Sequence, residues 1–484
     1  MNEQQRFEDY LAFLQTVIQV ISESNNDPKV VYPLLEQHLD KLDENFAQIL
    51  QQSAQNVFRQ GDSELTTWLA VMIFYFCIDI YQFPLGNRAN NLEITITGFE
   101  TVLEVYPSKV FPQEWAGIQN NLGNAYHDRI KGDQAENLEL SIKYYQEALT
   151  VRTKETFPEQ WATIQSNLGN AYYDRIKGER AENLELAINY YQQALTVYTP
   201  EAFPEQWATI QSNLGNAYYD RIKGERAENL ELSIKYYQEA LTVRTKEAFP
   251  EQWATTQNNL GNAYSDRIKG ERAENLELSI KYYQEALTVY TPEAFPKQWA
   301  TVQNNLAIAY SNRIRGDKAK NLELAIVAYE NAINVYESLG NLSITAQITL
   351  ELGKVYLEQG YWYKALESLE KSLKLYRQLS NFENRADVIY QIARTHHLIG
   401  NLEKASVYYR DALRFYEHIG NRRGGAFCKA SLGRLMLQIG FVEEALEQLK
   451  EAKAIYTEIN DEKQINEVEE MLKLITKIKE KQKV

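Results

Sequence analysis

The amino-acid sequence predicts an all-α solenoid, nine stacked helix pairs held between helical caps, and three observations carry that expectation. Trp115, Trp161, Trp207, Trp253 and Trp299 recur every 46 residues within nearly identical text, such as FPEQWATIQSNLGNAYYDRIKGERAENLELAINYYQQALTVYT from Phe157. A row of leucines keeps the same step through Leu122, Leu168, Leu214, Leu260, Leu306 and Leu352, then continues at a step of 40 as Ile392 and Leu432. Within each unit the apolar residues recur at helical spacing in two separate stripes. A period of this length marks a repeat array, and 484 residues are more than one compact core organises.

Taken in order, residues 1–62 carry no repeat but have helical patterning. Asp27-Pro28 opens a second helix striped by Leu35, Leu39, Leu42, Phe46 and Ile49, and the segment is expected to be an N-terminal capping bundle. Six 46-residue units follow over 63–339; the first is the weakest, with Ala70, Gly86 and Asn91 matching Ala116, Gly132 and Asn137. In a typical unit the first helix is striped by Trp161, Ile164, Leu168, Tyr172 and Arg175. Pro158 suits its first position, where a missing N–H costs nothing, and Gly178 suits its end. The second helix is striped by Ala181, Leu184, Ile188, Tyr191 and Leu195, and Asp133 with Glu136 forms a capping-box pattern at the start of one of them. Three 40-residue units occupy 340–460. Residues 461–484 supply a C-terminal cap, striped by Ile465, Val468, Leu472 and Ile475, with a basic tail that favours a helix C-terminus and frays.

Small residues recur where helices must approach closely: Gly123, Gly169, Gly215, Gly261 and Gly353, with Ala307, Ala393 and Gly433 completing the row. Ala148, Ala194, Ala240, Ala286 and Ala332 form a second such row. Cys77 falls in the first row, so it reads as a packing residue rather than a nucleophile. No single unit buries enough apolar surface to offset the entropy of ordering it, so the units must stack.

Composition narrows the function classes. The net charge of −15 argues against duplex nucleic acid and anionic membrane as partners, because both attract a basic footprint. The two cysteines, Cys77 and Cys428, are too few for a disulfide framework or a cysteine-based metal site. The N-terminal MNEQQRFEDY has no apolar core of a signal peptide, and the most hydrophobic stretch, Trp68 to Phe83, is short and contains Asp79. A buried core helix and a cytoplasmic location are therefore expected. His38, His127, His396, His397 and His418 have no metal-ligand spacing, and no phosphate-cradling glycine loop or nucleophile elbow is present. Catalysis and cofactors are not expected; a Cys428–His418 dyad would lack supporting context.

The string NLGNAYYDRIKG…LAINYYQQALTV resembles the tetratricopeptide repeat (TPR), with Leu-Gly-x-x-Tyr in the first helix and Ala-x-x-x-Tyr-x-x-Ala in the second, over residues 65–460. That resemblance implies a right-handed superhelical solenoid of about nine TPR helix pairs. Six extra residues between the helices and six between units, with Trp displaced four positions, point to longer helices, similar to those of kinesin light chains. The DPKVVYPLLEQHLDKLDENFAQIL segment ahead of QWA…NLGNAY units also resembles cyanobacterial proteins in which such repeats precede a caspase-like (CHAT) protease or signalling NTPase.

TPR arrays bind extended peptides or helices on the concave face lined by first helices, and the resemblance implies the same here. Asn124, Asn170, Asn216 and Asn262 form one ladder on that face, flanked by Asn121, Asn167, Asn213 and Asn259. Asp174, Asp220 and Asp266 continue the acidic ladder that begins at Asp128, beside Tyr173 and Tyr219. A carboxamide offers both donor and acceptor to a peptide backbone, whereas the acids would favour basic or polar segments unless Lys177, Arg175 or Arg180 and their equivalents neutralise them. The face lacks a lysine and arginine set for acidic tails. The expected function is a non-catalytic protein-interaction scaffold; the alternative is a regulatory or sensor subunit for an effector on another chain, since the sequence stops after the cap. A peptide-responsive transcription regulator is disfavoured, because the N-terminal segment has no basic recognition helix.

Overall fold

The computed structural model describes residues 3–482, and its packing divides the chain into two compact units, residues 1–245 and 246–484. In the first unit, α1 (Glu3–Ser24), α2 (Pro28–Gln37) and α3 (Glu44–Arg59) precede four helix pairs. These are α4 (Ser63–Gln82) with α5 (Arg88–Leu103), α6 (Pro112–Asp128) with α7 (Gln134–Leu149), α8 (Pro158–Asp174) with α9 (Arg180–Ala194), and α10 (Pro204–Asp220) with α11 (Arg226–Leu241). The second unit holds five pairs: α12 (Pro250–Asp266) and α13 (Arg272–Ala286), α14 (Pro296–Asn312) and α15 (Lys318–Ser338), α16 (Leu342–Glu358) and α17 (Trp362–Gln378), α18 (Phe382–Ile399) and α19 (Leu402–His418), α20 (Arg422–Gln438) and α21 (Val442–Glu458). It closes with α22 (Glu462–Gln482). All regular structure among the described residues is helical, and each helix pair packs on the next within its unit.

The predicted stripes form the core. Ile164, Leu168 and Tyr172 of α8 and Leu184, Ile188 and Tyr191 of α9 are all buried, and Val468 and Ile475 anchor α22. In the long units the glycines of the small-residue row lie under tyrosines: a Cβ added at Gly169 would overlap the Tyr191 ring, and the same holds for Gly123 under Tyr145 and Gly215 under Tyr237, whereas Gly353 and Gly433 lie under Leu369 and Leu449. Cys77 belongs to this row, with its Sγ packed against Gly98 and burial pushing its thiol well above the ordinary range. By length and composition α4 is the one described helix apolar enough to cross a membrane. It packs against α1, α3 and α5, and it buries Ala70, Ile73, Phe76, Asp79 and Ile80.

Four expectations need correction. The helix expected to run from Pro28 through Ile49 is broken, because Asp43 caps a new helix by accepting from the Phe46 N–H (3.0 Å) and Leu39 falls in a 3-10 turn. The middle 46-residue units gain no helix length over the 40-residue ones, since α8 and α16 both have 17 residues and the extra residues lie in the connections, while α4 and α15 are longer at 20 and 21 residues. Gly178 does not end the first helix, which stops at Asp174; it sits in the following turn with φ near +78°, a conformation that favours glycine. Asp133 does cap α7, but the Glu136 side chain pairs with Lys177 instead of returning to the cap. The last residues of the expected frayed tail, 483 and 484, lie outside the described residues.

The connection after each first helix is tied down. Buried Asn183 donates to the Lys177 carbonyl (2.9 Å) and the Arg175 carbonyl (3.3 Å). Arg175 forks onto Glu139 of the preceding pair through Nε (2.7 Å) and Nη2 (2.9 Å), as Arg221 does onto Glu185. Bidentate geometry of this kind fixes the register of one pair on the next.

Candidate functional site

The predicted site residues fall on the first helices, and five of those in the first unit line a cleft of about 280 Å³. Its walls include Asn170, Tyr173, Asp174, Asn213 and Asn216, together with His127 and Tyr191.

The asparagines are half-buried and are held by other helices. Asn170 Oδ1 accepts from the Tyr191 hydroxyl of the paired second helix (2.8 Å) and from Asn213 Nδ2 of the next first helix (3.0 Å). Asn124 repeats this with Tyr145 (2.7 Å) and Asn167 (3.1 Å), and in the second unit Asn262 does so with Tyr283 (2.7 Å) and Asn305 (3.1 Å). Asn216 takes the Tyr237 hydroxyl (2.7 Å), and Asn121 and Asn259 accept from Asn120 and Asn258 at 3.5 and 3.3 Å. Two donors on one oxygen orient the carboxamide. The oxygen of Asn124, Asn170 and Asn262 is thus committed, and the Nδ2 group of each, which makes no hydrogen bond among the described residues, is left to donate outward.

The acidic ladder is more fully engaged than the sequence predicts. A residue at one equivalent position of each of these first helices reaches the acid on the next. Tyr81 donates to Asp128 (2.8 Å), His127 Nε2 meets Asp174 (3.2 Å), and Tyr173 donates to Asp220. Arg88 and Arg180 add ion pairs to Asp128 (3.3 Å) and Asp220 (3.7 Å). Lys177 and Arg175 turn away to Glu136 and Glu139, so of the three expected neutralising cations only Arg180 reaches the row. Tyr219 and Asp266 also have partners.

His127 was not among the predicted site residues, although the repeat marks it. It replaces the tyrosine of the next two units, Tyr173 and Tyr219, and Gln134 stands where they have Arg180 and Arg226. Burial opposes its charging, but its contacts with Asp128 and Asp174 outweigh that and raise its pKa to about 9. A protonated imidazole thus supplies the positive charge that the missing arginine would bring. At the far end of the chain Cys428 is buried and its thiol is pushed up by that burial, while His418 lies against the Phe382 ring, 6.4 Å between centroids.

Two family models described as tetratricopeptide repeats match the chain, one at residues 161–199, 207–247 and 253–291 and the other at 344–418. No curated protein matches it in sequence. Among solved structures, the apo form of the quorum sensor NprR from B. thuringiensis is 16% identical over 86% of this chain and 99% of its own, with a TM-score of 0.50. A STAND protein with a tetratricopeptide repeat sensor, from Pyrococcus horikoshii, is 14% identical over 90% of this chain and 69% of its own, with a TM-score of 0.47. The apo form of RapI is 14% identical over 63% of this chain and 99% of its own, with a TM-score of 0.43. The likeness to NprR is one of fold.

Proposed function

We propose that this chain, which tetratricopeptide-repeat models match over several of its helix pairs, is a non-catalytic protein-interaction scaffold whose first-helix face holds a peptide or helical segment of a partner. The observation that carries this reading is the row of oriented carboxamides. Asn124 and Asn170 each present a free Nδ2 donor from a half-buried, fixed position, and a donor repeated once per pair matches the carbonyls of an extended chain without demanding a particular sequence. The partner is a polar segment rather than a basic one, since the acids that would attract cations are occupied by Tyr81, His127, Tyr173 and arginines. Neither nucleic acid nor membrane is part of this reading, and its setting is the cytoplasm.

The test replaces Asn170, Asn216 and Asn262 together by Ala and compares partner capture from source cells by mass spectrometry. The expected result is a loss of at least ten-fold in the captured partner, with unchanged helical circular dichroism. Undiminished capture by the folded variant removes the groove from the account. Recovery of a caspase-like protease or signalling NTPase as the captured protein would make the chain a regulatory subunit rather than a stand-alone scaffold.

A further inference from the structure

Gly117 occupies a helix-interior position of α6 where the equivalent residues are Thr163, Thr209, Thr255 and Thr301. Glycine inside a helix is destabilising relative to alanine. Nothing in the backbone calls for it, since its φ is not positive, and a Cβ built there would meet only Arg152 Nη2, at 3.9 Å. The threonine of the other units has a visible task. Its hydroxyl meets a residue in the last turn of the second helix or just beyond it: Tyr198 for Thr163 (2.6 Å), Arg244 for Thr209 (3.0 Å), Tyr336 for Thr301 (2.7 Å). Arg152, the corresponding residue beside Gly117, has no such hydroxyl.

The guanidinium of Arg152 is consequently exposed on both sides to open space. Toward α4 lies a cleft of about 310 Å³ walled by Phe74, Tyr75, Tyr106 and Ile118; toward α8 lies a smaller one of about 100 Å³ beside Asn120 and Ile164. Arg152 is half-buried, donates once to the Gln113 carbonyl (3.0 Å) and lies over the Phe157 ring at 4.6 Å. Among the described residues it forms no ion pair, whereas Arg129, Arg175, Arg221 and Arg313 each fork onto a glutamate. Glu114 stands exposed on the rim without pairing. Burial lowers the Arg152 pKa, and the nearby Glu114 carboxylate, which forms no ion pair with it, offsets only part of that.

We propose that Gly117 and Arg152 open an anchoring subsite, at one end of the first-helix face, for a carboxylate that stands next to an aromatic or branched apolar side chain. The free edge of the guanidinium takes the carboxylate as a planar fork. The larger cleft takes the side chain against Phe74, Tyr75 and Tyr106, having more room than the ~150 Å³ that holds a benzene ring. The inference rests on the peptide-binding reading above. A chain terminus ending in such a residue and an internal acidic residue beside one present the same chemistry.

The test uses the full chain and three labelled, acetylated decapeptides of otherwise polar sequence, followed by fluorescence anisotropy. One ends in a free phenylalanine carboxylate, one is amidated with an internal Glu-Phe, and one is amidated with an internal Gln-Phe. Both substitutions come from the protein's own repeats, Gly117→Thr and Arg152→Tyr, so the fold has a precedent for each. The wild type is expected to bind one of the two acids at least ten-fold more tightly than the carboxylate-free peptide, and which one identifies the source. Both variants should lose that preference while keeping the wild-type melting curve. Equal binding of all three peptides, no binding of either acid at millimolar concentration, or a preference that survives in both variants overturns the subsite. Those failures leave the groove reading standing if partner capture still depends on Asn170, Asn216 and Asn262; capture independent of those residues removes the groove without deciding Arg152, which the peptides judge directly.

Discussion

At the scale of single residues, His127 shows how one substitution is absorbed by its neighbours. A tyrosine there would donate one hydrogen bond, as Tyr81 and Tyr173 do; the imidazole bridges Asp128 and Asp174 and brings a charge. Its folded-state pKa of about 9 lies above the ordinary value of 6.5. The stabilisation is therefore complete below the ordinary value and is lost as pH rises through the folded one. The two acids are partly solvated, which screens the interaction to an expected ~1–2 kcal/mol. Denaturant titrations at pH 7 and pH 10 check this: the wild type should lose that much more stability between the two than His127→Gln. Equal losses would mean that the imidazole carries no charge at neutral pH.

At the scale of the helix pair, the glycine row and the asparagine ladder are one device. Gly169 lets the Tyr191 ring lie against α8, and only from there does the hydroxyl reach Asn170, the next residue along. The pair formed by α14 and α15 carries Ala307 and Ile308 at these two positions, so the close approach and its acceptor are missing together. Gly169→Ala should push the tyrosine ring away, cost about 1–3 kcal/mol through overpacking and release the Asn170 oxygen. Chemical denaturation measures the first effect, and the Asn170 side-chain amide resonances report the second. A variant as stable as wild type, with unshifted resonances, would show that the ring has room to spare.

At the scale of the whole molecule, stability in a repeat chain approximates a sum of pair terms and nearest-neighbour interfaces. Residues 157–202 make one 46-residue period within the first unit, and their removal joins Thr156 to Phe203 with the repeat text unbroken. The shortened protein is expected to fold, with the same helical signal per residue and a lower denaturation midpoint. A collapse of the far-ultraviolet signal would instead mean that this pair is indispensable to the units on either side. The arginine forks between successive pairs, Arg175 onto Glu139 and Arg221 onto Glu185, make the register transferable, since every long pair offers the same glutamate.

The sequence alone determined the helix pairs and their stripes, because a 46-residue period of apolar and small residues admits few packings and each copy repeats the same instruction. It also marked the asparagines, aspartates and tyrosines of the first helices as polar and periodic. It did not say which of their atoms are free. Asn170 is oriented by a hydroxyl 21 residues on and an amide 43 residues on, and Asp174 is held by a histidine 47 residues back. Hydrogen bonds across such separations depend on how one helix pair sits on the next, to within an ångström. Only the tertiary structure therefore decided that the acids are engaged, that the oxygens of Asn124 and Asn170 are committed, and that Arg152 stands beside Gly117 without an ion pair.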